Sequence, residues 1–171
     1  MTILQLDTKT YPQYRGGLAD LLCATVAGGG SVGFLQPMTG AAALAFWDRH
    51  AADLSRGALD LLVAVEGGAV AGTVSLDCAL PPNQEHRGDV CKMMVDPGHR
   101  RRGIAARLLE TVQGRAVARG LSLLVLDTRT GDPAQALYGR MGFVAVGEIP
   151  DYARDPDGAG LHGTTLMYRR V

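Results

Sequence analysis

The sequence has no excess of charge of either sign, because 17 lysine and arginine residues balance 17 aspartate and glutamate residues. A chain with a net charge near zero is not expected to bind nucleic acid or an anionic membrane by bulk electrostatics. No apolar run approaches the roughly 18 residues that a membrane-spanning helix needs. The opening segment, MTILQLDTKT, also lacks the basic and apolar regions of a signal peptide. These absences predict a cytoplasmic protein that acts on neither membranes nor nucleic acid.

Disulfide and metal-binding patterns are missing as well. The cysteines are odd in number and far apart, which favours reduced thiols over a disulfide framework: Cys23, Cys78 and Cys91. No histidine lies at metal-ligand spacing from another histidine or from a cysteine, so we expect no metal. Cys91 could accept an acyl group, but no neighbouring motif would lower its thiol pKa, so a core or wall residue is the better interpretation.

The length of the chain and its 47% of hydrophobic residues fit one domain over residues 1–171. Apolar periodicity and turn signals predict the order β-α-α-β-β-β-α-β-α-β-β. Gly67-Gly68 separates two β-rich runs and predicts a hairpin, while Asp132-Pro133 predicts a capped helix start. Residues 88–128 predict a right-handed parallel β-α-β unit. Its second strand, LSLLVLDT, is apolar on both faces, which is typical of a strand covered on each side.

Two glycine motifs lack the structural context they require. GGSVG, residues 29–33, matches the nucleophile elbow of hydrolases and would make Ser31 the nucleophile, but the preceding residues have a helical period instead of forming a strand. GGGSVG matches a dinucleotide-binding pattern with the same deficiency. We therefore interpret the segment as a loop between two helices, with Ser31 lining the substrate site.

A run of three arginines precedes a predicted helix in VDPGHRRRGIAARLL. Cations at a helix start are locally unfavourable, since that end carries partial positive charge. They become favourable when an anion docks on the free N–H groups of the first turn. Gly103 and Ala105 keep that approach open. The pattern predicts a phosphate site, although the G-K-[ST] of a Walker loop is absent.

Arg100-x-x-Gly103-x-Ala105 resembles the Q/R-x-x-G-x-G/A signature of the GNAT (GCN5-related) N-acetyltransferases. The similarity extends through MMVDPGHRRRGIAARLL and AQALYGRMGF, and covers roughly residues 58–170. It implies a single-domain α/β GNAT fold, in which a mixed, mostly antiparallel sheet contains a central splayed pair of parallel strands and is flanked by helices.

The resemblance also implies acetyl-CoA as co-substrate. Its pyrophosphate is expected on the amides of residues 101–106, and its pantetheine arm beside the strand residues 93–95. Many members have an asparagine where this chain has Gly131, so its contribution to binding pantetheine is expected to be either absent or supplied by Thr128 or Asp132. The expected cofactor residues are Met93, Met94, Val95, Arg100, Arg101, Arg102, Gly103, Ile104, Ala105, Ala106, Thr128 and Asp132.

Three residues are the candidates for catalysis. Tyr138 matches the tyrosine that sits near the CoA sulfur in this family, where a protonated phenol can donate to the leaving thiolate. Asp89 and Asp127 come from the two strands of the parallel pair. Either carboxylate could act as the base or simply hold the substrate ammonium, and the sequence leaves the two roles open.

The acceptor is the least determined part. The segments LDTRTGDPAQALY and GEIPDYARDPDGAGLHGTTLMYRR resemble the branch that includes the tabtoxin-resistance acetyltransferase, which implies a small amino-acid-like toxin or antibiotic and a resistance role. In that branch Tyr152 and His162 are expected in a loop beside the acceptor. A protein or peptide amine, a noncatalytic acyl-CoA-binding module and a homodimer all stay open.

Overall fold

The computed structural model describes residues 1–171 and has the predicted order of strands and helices. The elements are β1 (Thr2–Leu6), α1 (Tyr11–Ala27), α2 (Gly40–Ser55), β2 (Leu59–Glu66), β3 (Ala69–Asp77), β4 (Arg87–Val95), α3 (Ile104–Ala118), β5 (Leu123–Arg129), α4 (Pro133–Arg140), β6 (Val144–Arg154) and β7 (Leu161–Arg170). Short 3₁₀ helices at Pro82–Gln84 and Pro97–His99 flank β4. None of the helices combines the length and the hydropathy that crossing a membrane requires.

The strands form one seven-stranded sheet in the order β1-β2-β3-β4-β5-β7-β6. All neighbours are antiparallel except β4 and β5, which run parallel. This central pair is joined over three positions only, from Arg87 opposite Leu123 to Asp89 opposite Val125. Beyond Asp89 the two strands separate, which confirms the predicted fold class and opens the middle of the sheet.

Helices cover both faces of the sheet. On one face α3 and α4 pack against a core cluster that includes Leu62 and Leu124. On the other face α1 and α2 pack against a second cluster that includes Leu61 and Val63. Consecutive residues of β2 therefore enter different cores, as the two-residue period of a strand requires.

Strand β5 differs from the sequence-based expectation of a strand covered on both sides. Leu124 and Leu126 are buried under α3 and α4. Leu123 and Val125 point to the other face and line an open groove of about 580 Å³ between β5, β7 and β6. The difference arises because α1 and α2 pack on β2, β3 and β4 and do not extend over β5.

The end of the chain also departs from the prediction. The expected polar loop after Ile149 is shorter, because β6 continues to Arg154 and β7 begins at Leu161. Tyr152 and His162, expected in a loop, therefore lie on strands. The structure accommodates the irregular residues in a bulge of β6 between Ile149 and Ala153.

The N-caps of α2 and α4 differ. The Thr39 side chain accepts a hydrogen bond from the Ala42 amide at 3.2 Å and caps α2. Asp132 occupies the N-cap position of α4 as predicted, but its side chain accepts no capping hydrogen bond. Its carboxylate lies 3.8 Å from Arg129 Nε.

A buried carboxylate ties β1, β2 and α3 together. Asp60 is 1% exposed and accepts hydrogen bonds from Arg119 Nε and Nη2 at 2.9 and 2.6 Å and from Arg115 Nε at 3.0 Å. Gln5 Nε2 on β1 also donates to it at 3.0 Å. Burial favours a raised pKa for Asp60, but the hydrogen bonds and charges of the two arginines outweigh it, and the pKa is lowered.

Candidate active site

The predicted phosphate loop connects β4 to α3 through two left-handed residues. Asp96 accepts a hydrogen bond from the Gly98 amide at 2.9 Å and contacts His99 Nδ1 at 2.8 Å, which closes the first turn. Arg101 and Gly103 have φ angles of 62° and 77°. These positive φ angles turn the chain sharply, so that α3 begins directly after Gly103.

The amides of residues 101–106 are all free of intrachain acceptors. The first α3 bond is donated by the Arg107 amide to Gly103 O, and no side chain caps this helix. A Cβ added to Gly103 would meet no atom within 4 Å, so the space above the loop is open. Six consecutive N–H groups at the positive end of a 15-residue helix can together bind a multiply charged anion.

The three arginines of the loop differ in their partners. Arg102 Nη2 donates to Glu66 Oε1 at 2.7 Å, so its charge is partly engaged by the β2–β3 hairpin. Arg100 and Arg101 are exposed and form no ion pair. These two side chains are therefore the ones whose charge is available to an anion on the loop.

An extra residue in β4 changes which way its side chains point. Cys91 lies opposite Ser75 and Met94 opposite Thr73, so three steps of β4 match two steps of β3. Lys92 adopts a φ of 51° at this bulge. As a result Lys92 joins Cys91 on the face of α1 and α2, where its ammonium lies 5.6 Å from the ring centroid of Phe46.

Strand β4 continues past the bulge with its outer edge open. Met93 and Val95 pack toward the α3 core, and Met94 is buried in the α1–α2 core. Their inner edge pairs with β3, but β5 has already diverged at Asp89. The backbone of Met93, Met94 and Val95 therefore faces the opening in the sheet without a strand partner on that side.

Tyr138 reaches this opening from α4. Its ring packs edge-on against Phe143 with centroids 5.8 Å apart, and the residue is 6% exposed. Its hydroxyl has no hydrogen-bond partner in the chain. Burial raises the pKa of Tyr138, with further contributions from the nearby groups of Cys91 and Asp127. The phenol therefore stays protonated at neutral pH and lies near both strands of the open pair.

The two candidate aspartates have unequal surroundings. Arg87 Nη1 donates to Asp89 Oδ1, and Asp77 lies directly opposite Asp89 on β3. Burial raises the pKa of Asp89, Arg87 opposes this, and the charges of Asp77 and Asp127 add to it. Asp127 is exposed and accepts a hydrogen bond from Thr164 Oγ1 at 3.0 Å through Oδ2, while Oδ1 has no partner.

Cys91 lies in the wall between these groups. Burial raises its pKa to about 11, the ammonium of Lys92 opposes the shift, and the charges of Asp77, Asp89 and Asp127 increase it. A thiol with this pKa is protonated at neutral pH and is a weak nucleophile. The environment agrees with its interpretation as a wall residue.

Ser31 and His162 are 131 residues apart in sequence and in contact in the structure. Ser31 Oγ lies 2.9 Å from His162 Nε2, and His162 Nδ1 lies 3.1 Å from Gly163 O. Because a carbonyl can only accept, Nδ1 carries the proton in this arrangement and Nε2 accepts from Ser31. Tyr152 lies in the β6 bulge, next to Ala153, the strand partner of His162, and is 54% exposed.

The loop between α1 and α2, residues 28–39, thus crosses the face that carries Asp127. Ser31 holds it at one point. At another point the backbone amide of Gln36 donates a hydrogen bond to Pro156 O at 2.7 Å.

The remaining predicted cofactor residues, Thr128 and Asp132, border the opening at the end of β5. The Thr128 carbonyl accepts from Thr164 Oγ1 at 3.1 Å, and the Gly131 amide donates to Gln135 Oε1 at 2.7 Å.

Sequence reasoning missed three polar residues of this region: Lys92, Asp77 and Thr164. Lys92 had a detectable signal, since it is the one charged residue in the segment VCKMMV and an alternating strand would bury it. Asp77 and Thr164 carried no signal of their own, because each gains its position from strand pairing with residues distant in sequence.

Comparison with known proteins agrees with this geometry. Residues 34–143 match the sequence profile of the acetyltransferase (GNAT) family. The IAA acetyltransferase of Azospirillum brasilense is 34% identical over 106 residues, which are 60% of this chain and 66% of that protein, just under two thirds of its length.

Two solved structures have the same fold. Ribosomal-protein-alanine N-acetyltransferase from Brucella melitensis superposes with a TM-score of 0.80 at 18% identity over 100% of both chains. The structure of yncA from Salmonella typhimurium, with its cofactor acetyl-CoA, has a TM-score of 0.78 at 17% identity, covering 99% of this chain and 92% of that one.

Proposed function

Because the chain belongs to the acetyltransferase (GNAT) family, we propose that it is an N-acetyltransferase that transfers acetyl from acetyl-CoA directly to the primary amine of a small molecule. The observation that carries the proposal is the opening between β4 and β5. A protonated phenol reaches it from the side of α4, and aspartates line the opposite face. The two substrates would meet there in a ternary complex.

The loop before α3 fits the diphosphate of acetyl-CoA. Six free amides and the unpaired guanidinium groups of Arg100 and Arg101 supply donors and positive charge. The unpaired edge of Met93–Val95 fits the amide groups of an extended pantetheine arm, as an added strand does. Thr128 and Asp132 border the same opening, where they are proposed to replace the asparagine that this chain lacks.

Tyr138 is proposed to protonate the leaving thiolate. Acetyl-CoA supplies an activated acetyl group whose leaving group is a thiolate. A phenol whose pKa is raised by burial keeps its proton until a strong base forms beside it. Since the Tyr138 hydroxyl makes no hydrogen bond within the chain, no intrachain acceptor competes for its proton.

Asp89 and Asp127 are proposed to have different roles toward the substrate amine. Asp89 is already engaged by Arg87, whereas one oxygen of Asp127 is free. We assign Asp127 to binding the substrate ammonium. Asp89, whose pKa is raised by burial and neighbouring carboxylates, is the better candidate for accepting the proton that the amine must lose, directly or through water.

An acceptor screen tests the proposal. Release of free thiol from acetyl-CoA would be measured across amino acids, β-lactam amino acids, aminoglycosides, polyamines and N-terminal peptides. Turnover with a small amine supports the assignment, and an amino-acid-like toxin as best substrate would agree with the resemblance to the tabtoxin-resistance branch. Turnover with peptides only would make the chain a protein acetyltransferase. Binding of acetyl-CoA without turnover on any amine would contradict the enzyme assignment.

A further inference from the structure

Lys92 is a cation in a part of the molecule where acidic groups dominate. It is one of only two lysines in the chain, the other being Lys9 near the N-terminus. The bulge in β4 turns its side chain away from the core under α3, to the face of the sheet on which α1 and α2 pack. We call this side the acceptor face. No carboxylate lies within ion-pair distance of it, although the residue is half-buried. A partly desolvated ammonium without a counter-ion is unfavourable unless a ligand supplies one.

The ammonium is held in place with donors to spare. Lys92 Nζ donates one hydrogen bond, to Val32 O at 3.1 Å. It lies 6.0 Å from the ring centroid of Phe34 and 5.6 Å from that of Phe46, both on the side of α2. An ammonium has three N–H donors, so two remain for another acceptor. The aromatic rings fix its position without neutralising its charge.

The loop segment that contacts Lys92 also has free backbone donors. The amides of Ser31, Val32 and Gly33 donate to no acceptor in the chain. Gly33 has a φ of 90°, and a Cβ added there would lie 3.7 Å from Lys92 Nζ. The absence of that side chain leaves room beside the ammonium. Lys92 and these amides together form a corner suited to a carboxylate.

The corner formed by Lys92 and the free amides lies on the same face of β4 as the acidic side chain of Asp89. Asp89 and Cys91 alternate onto the acceptor face of β4, and the bulge places Lys92 directly after them. The thiol of Cys91 lies within electrostatic reach of Lys92 and of the aspartates on β3, β4 and β5. Negative and positive subsites therefore lie within the span of one small molecule.

We propose that Lys92 binds the carboxylate of the acceptor, and that the acceptor is a zwitterionic amino acid or a compound with the same pair of groups. This inference rests on the proposed function, since it places the amine at Asp127. The amine then lies toward the opening in the sheet, and the carboxylate lies under the α1–α2 loop, between Lys92 and the free amides.

The alternative is that Lys92 only anchors the loop through Val32. The two roles differ in what they predict for substrates. A loop anchor affects every acceptor equally, whereas a carboxylate ligand affects only acceptors that carry the carboxylate. A matched pair of acceptors separates them: each standard L-amino acid and its α-carboxamide, which keeps the amine and the side chain but removes the negative charge.

The test compares kcat/KM for the acid and the amide in wild type and in Lys92→Met. We expect wild type to favour the acid by about tenfold or more, the effect of one charge-assisted hydrogen bond. The preference should fall at least about tenfold in Lys92→Met and be largely restored in Lys92→Arg. Lys9→Met is the matched control and should keep the wild-type preference. Thermal unfolding and acetyl-CoA affinity show whether each variant is folded.

An acid-to-amide ratio in Lys92→Met equal to that of wild type would overturn the inference and leave the proposed function standing. If wild type acetylates other small amines but no amino acid and no amino-acid amide, this inference is overturned and the proposed function stands. Failure with every small amine would overturn the proposed function as well.

Discussion

Tyr138 is packed in the core, and the proposed mechanism gives it a chemical role as well. Its ring packs against Phe143, and the same burial raises the pKa of its hydroxyl. Since the ordinary pKa of a phenol is about 10 and this one is higher, the hydroxyl stays protonated over the whole neutral range. Packing and the proposed proton donation would therefore depend on the same buried position.

Tyr138→Phe should lower kcat by roughly 10²-fold, the lower end of what a general acid contributes, because the ring stays and only the proton donor is removed. Steady-state rates with a fixed amine between pH 7 and 9 would measure it. Wild type should lose no rate from titration of Tyr138 in that range, since its pKa is raised above the ordinary value of about 10.

Tyr168→Phe provides the control for Tyr138, because Tyr168 lies on β7 and lines the groove between β5, β7 and β6. Its removal should leave kcat near that of wild type. Equal losses in the two variants, or none in Tyr138→Phe, would argue against the acid role.

Individual site residues were predictable where a local motif carries them. Tyr138 and Gly103 belong to short sequence motifs, which can be recognised from neighbouring residues alone. Lys92 was not predictable as an acceptor-face residue, because strand alternation assigns it to the opposite side and only the bulge reverses that. The Ser31–His162 contact depends on tertiary packing of a loop against β7, which no local pattern describes.

At the scale of elements, the β4–loop–α3 unit contains most of the proposed acetyl-CoA site. Gly103→Glu should weaken acetyl-CoA binding by at least about tenfold, or 1.4 kcal/mol, because a carboxylate would lie against the anion-binding amides. Titration calorimetry with acetyl-CoA measures the change directly.

Gly120→Glu is a matched control for that variant. Gly120 follows the other end of α3, has a φ of 73° and also has open space around its Cβ position. Both variants should lose about 1 kcal/mol of stability to the left-handed backbone. Only Gly103→Glu should lose affinity, and equal affinities would place the diphosphate elsewhere.

The Asp60 cluster joins three elements and makes a separate prediction. Asp60→Asn should destabilise the fold by roughly 2 kcal/mol, less than for a fully buried pair because Arg115 and Arg119 remain partly hydrated. Urea unfolding measures the loss. Asp53→Asn, which removes an exposed ion pair with Arg56 on α2, should change stability by less than about 0.5 kcal/mol.

The same cluster sets a pH dependence. The folded-state pKa of Asp60 lies below its unfolded value of about 4. Its stabilisation is therefore complete above that value and is lost as the pH falls through the lowered pKa. The stability gap between wild type and Asp60→Asn should close in acid. A gap that does not narrow as the pH falls below the unfolded-state value would contradict this assignment.

Element boundaries were less predictable than element order. Pro150 and Asp151 usually end a strand, so the sequence predicts that β6 stops before them. In the structure β6 is an edge strand and takes these residues into a bulge, with Asp151 at a φ of 52°. An edge tolerates the missing N–H donor of proline, and this tolerance is not visible without the order of the strands.

At the scale of the whole molecule, the proposed function places acetyl-CoA and the acceptor amine in one open sheet. We expect initial-velocity patterns that intersect, since donor and acceptor must be bound together for direct transfer. Incubation with labelled acetyl-CoA in the absence of amine should leave no label on the protein. Mass spectrometry of the intact chain measures this.

Cys91→Ser distinguishes direct transfer from a covalent route, because Cys91 is the thiol nearest the opening. Its raised pKa disfavours the thiolate, so the variant should retain turnover. Parallel velocity patterns together with acetyl label on Cys91 would contradict direct transfer.

The order of elements along the chain followed from periodicity, whereas the sheet order did not. The final strand β7 inserts between β5 and β6, and this brings Thr164 to Asp127 and His162 to the α1–α2 loop. Such long-range pairing is chosen by the whole packed structure, so the acceptor side was less predictable than the donor loop.

The extra residue in β4 also determines what a change in the length of that strand would do. Deleting Lys92 would restore plain alternation and keep Met93, Met94 and Val95 in their present cores, because Met94 would still lie opposite Thr73, two steps after Cys91. Pairing the full-length strand without the bulge would instead exchange the places of these three residues in the two cores. A natural variant shortened by one residue there could therefore retain both hydrophobic layers, but it would lose the ammonium beside the α1–α2 loop.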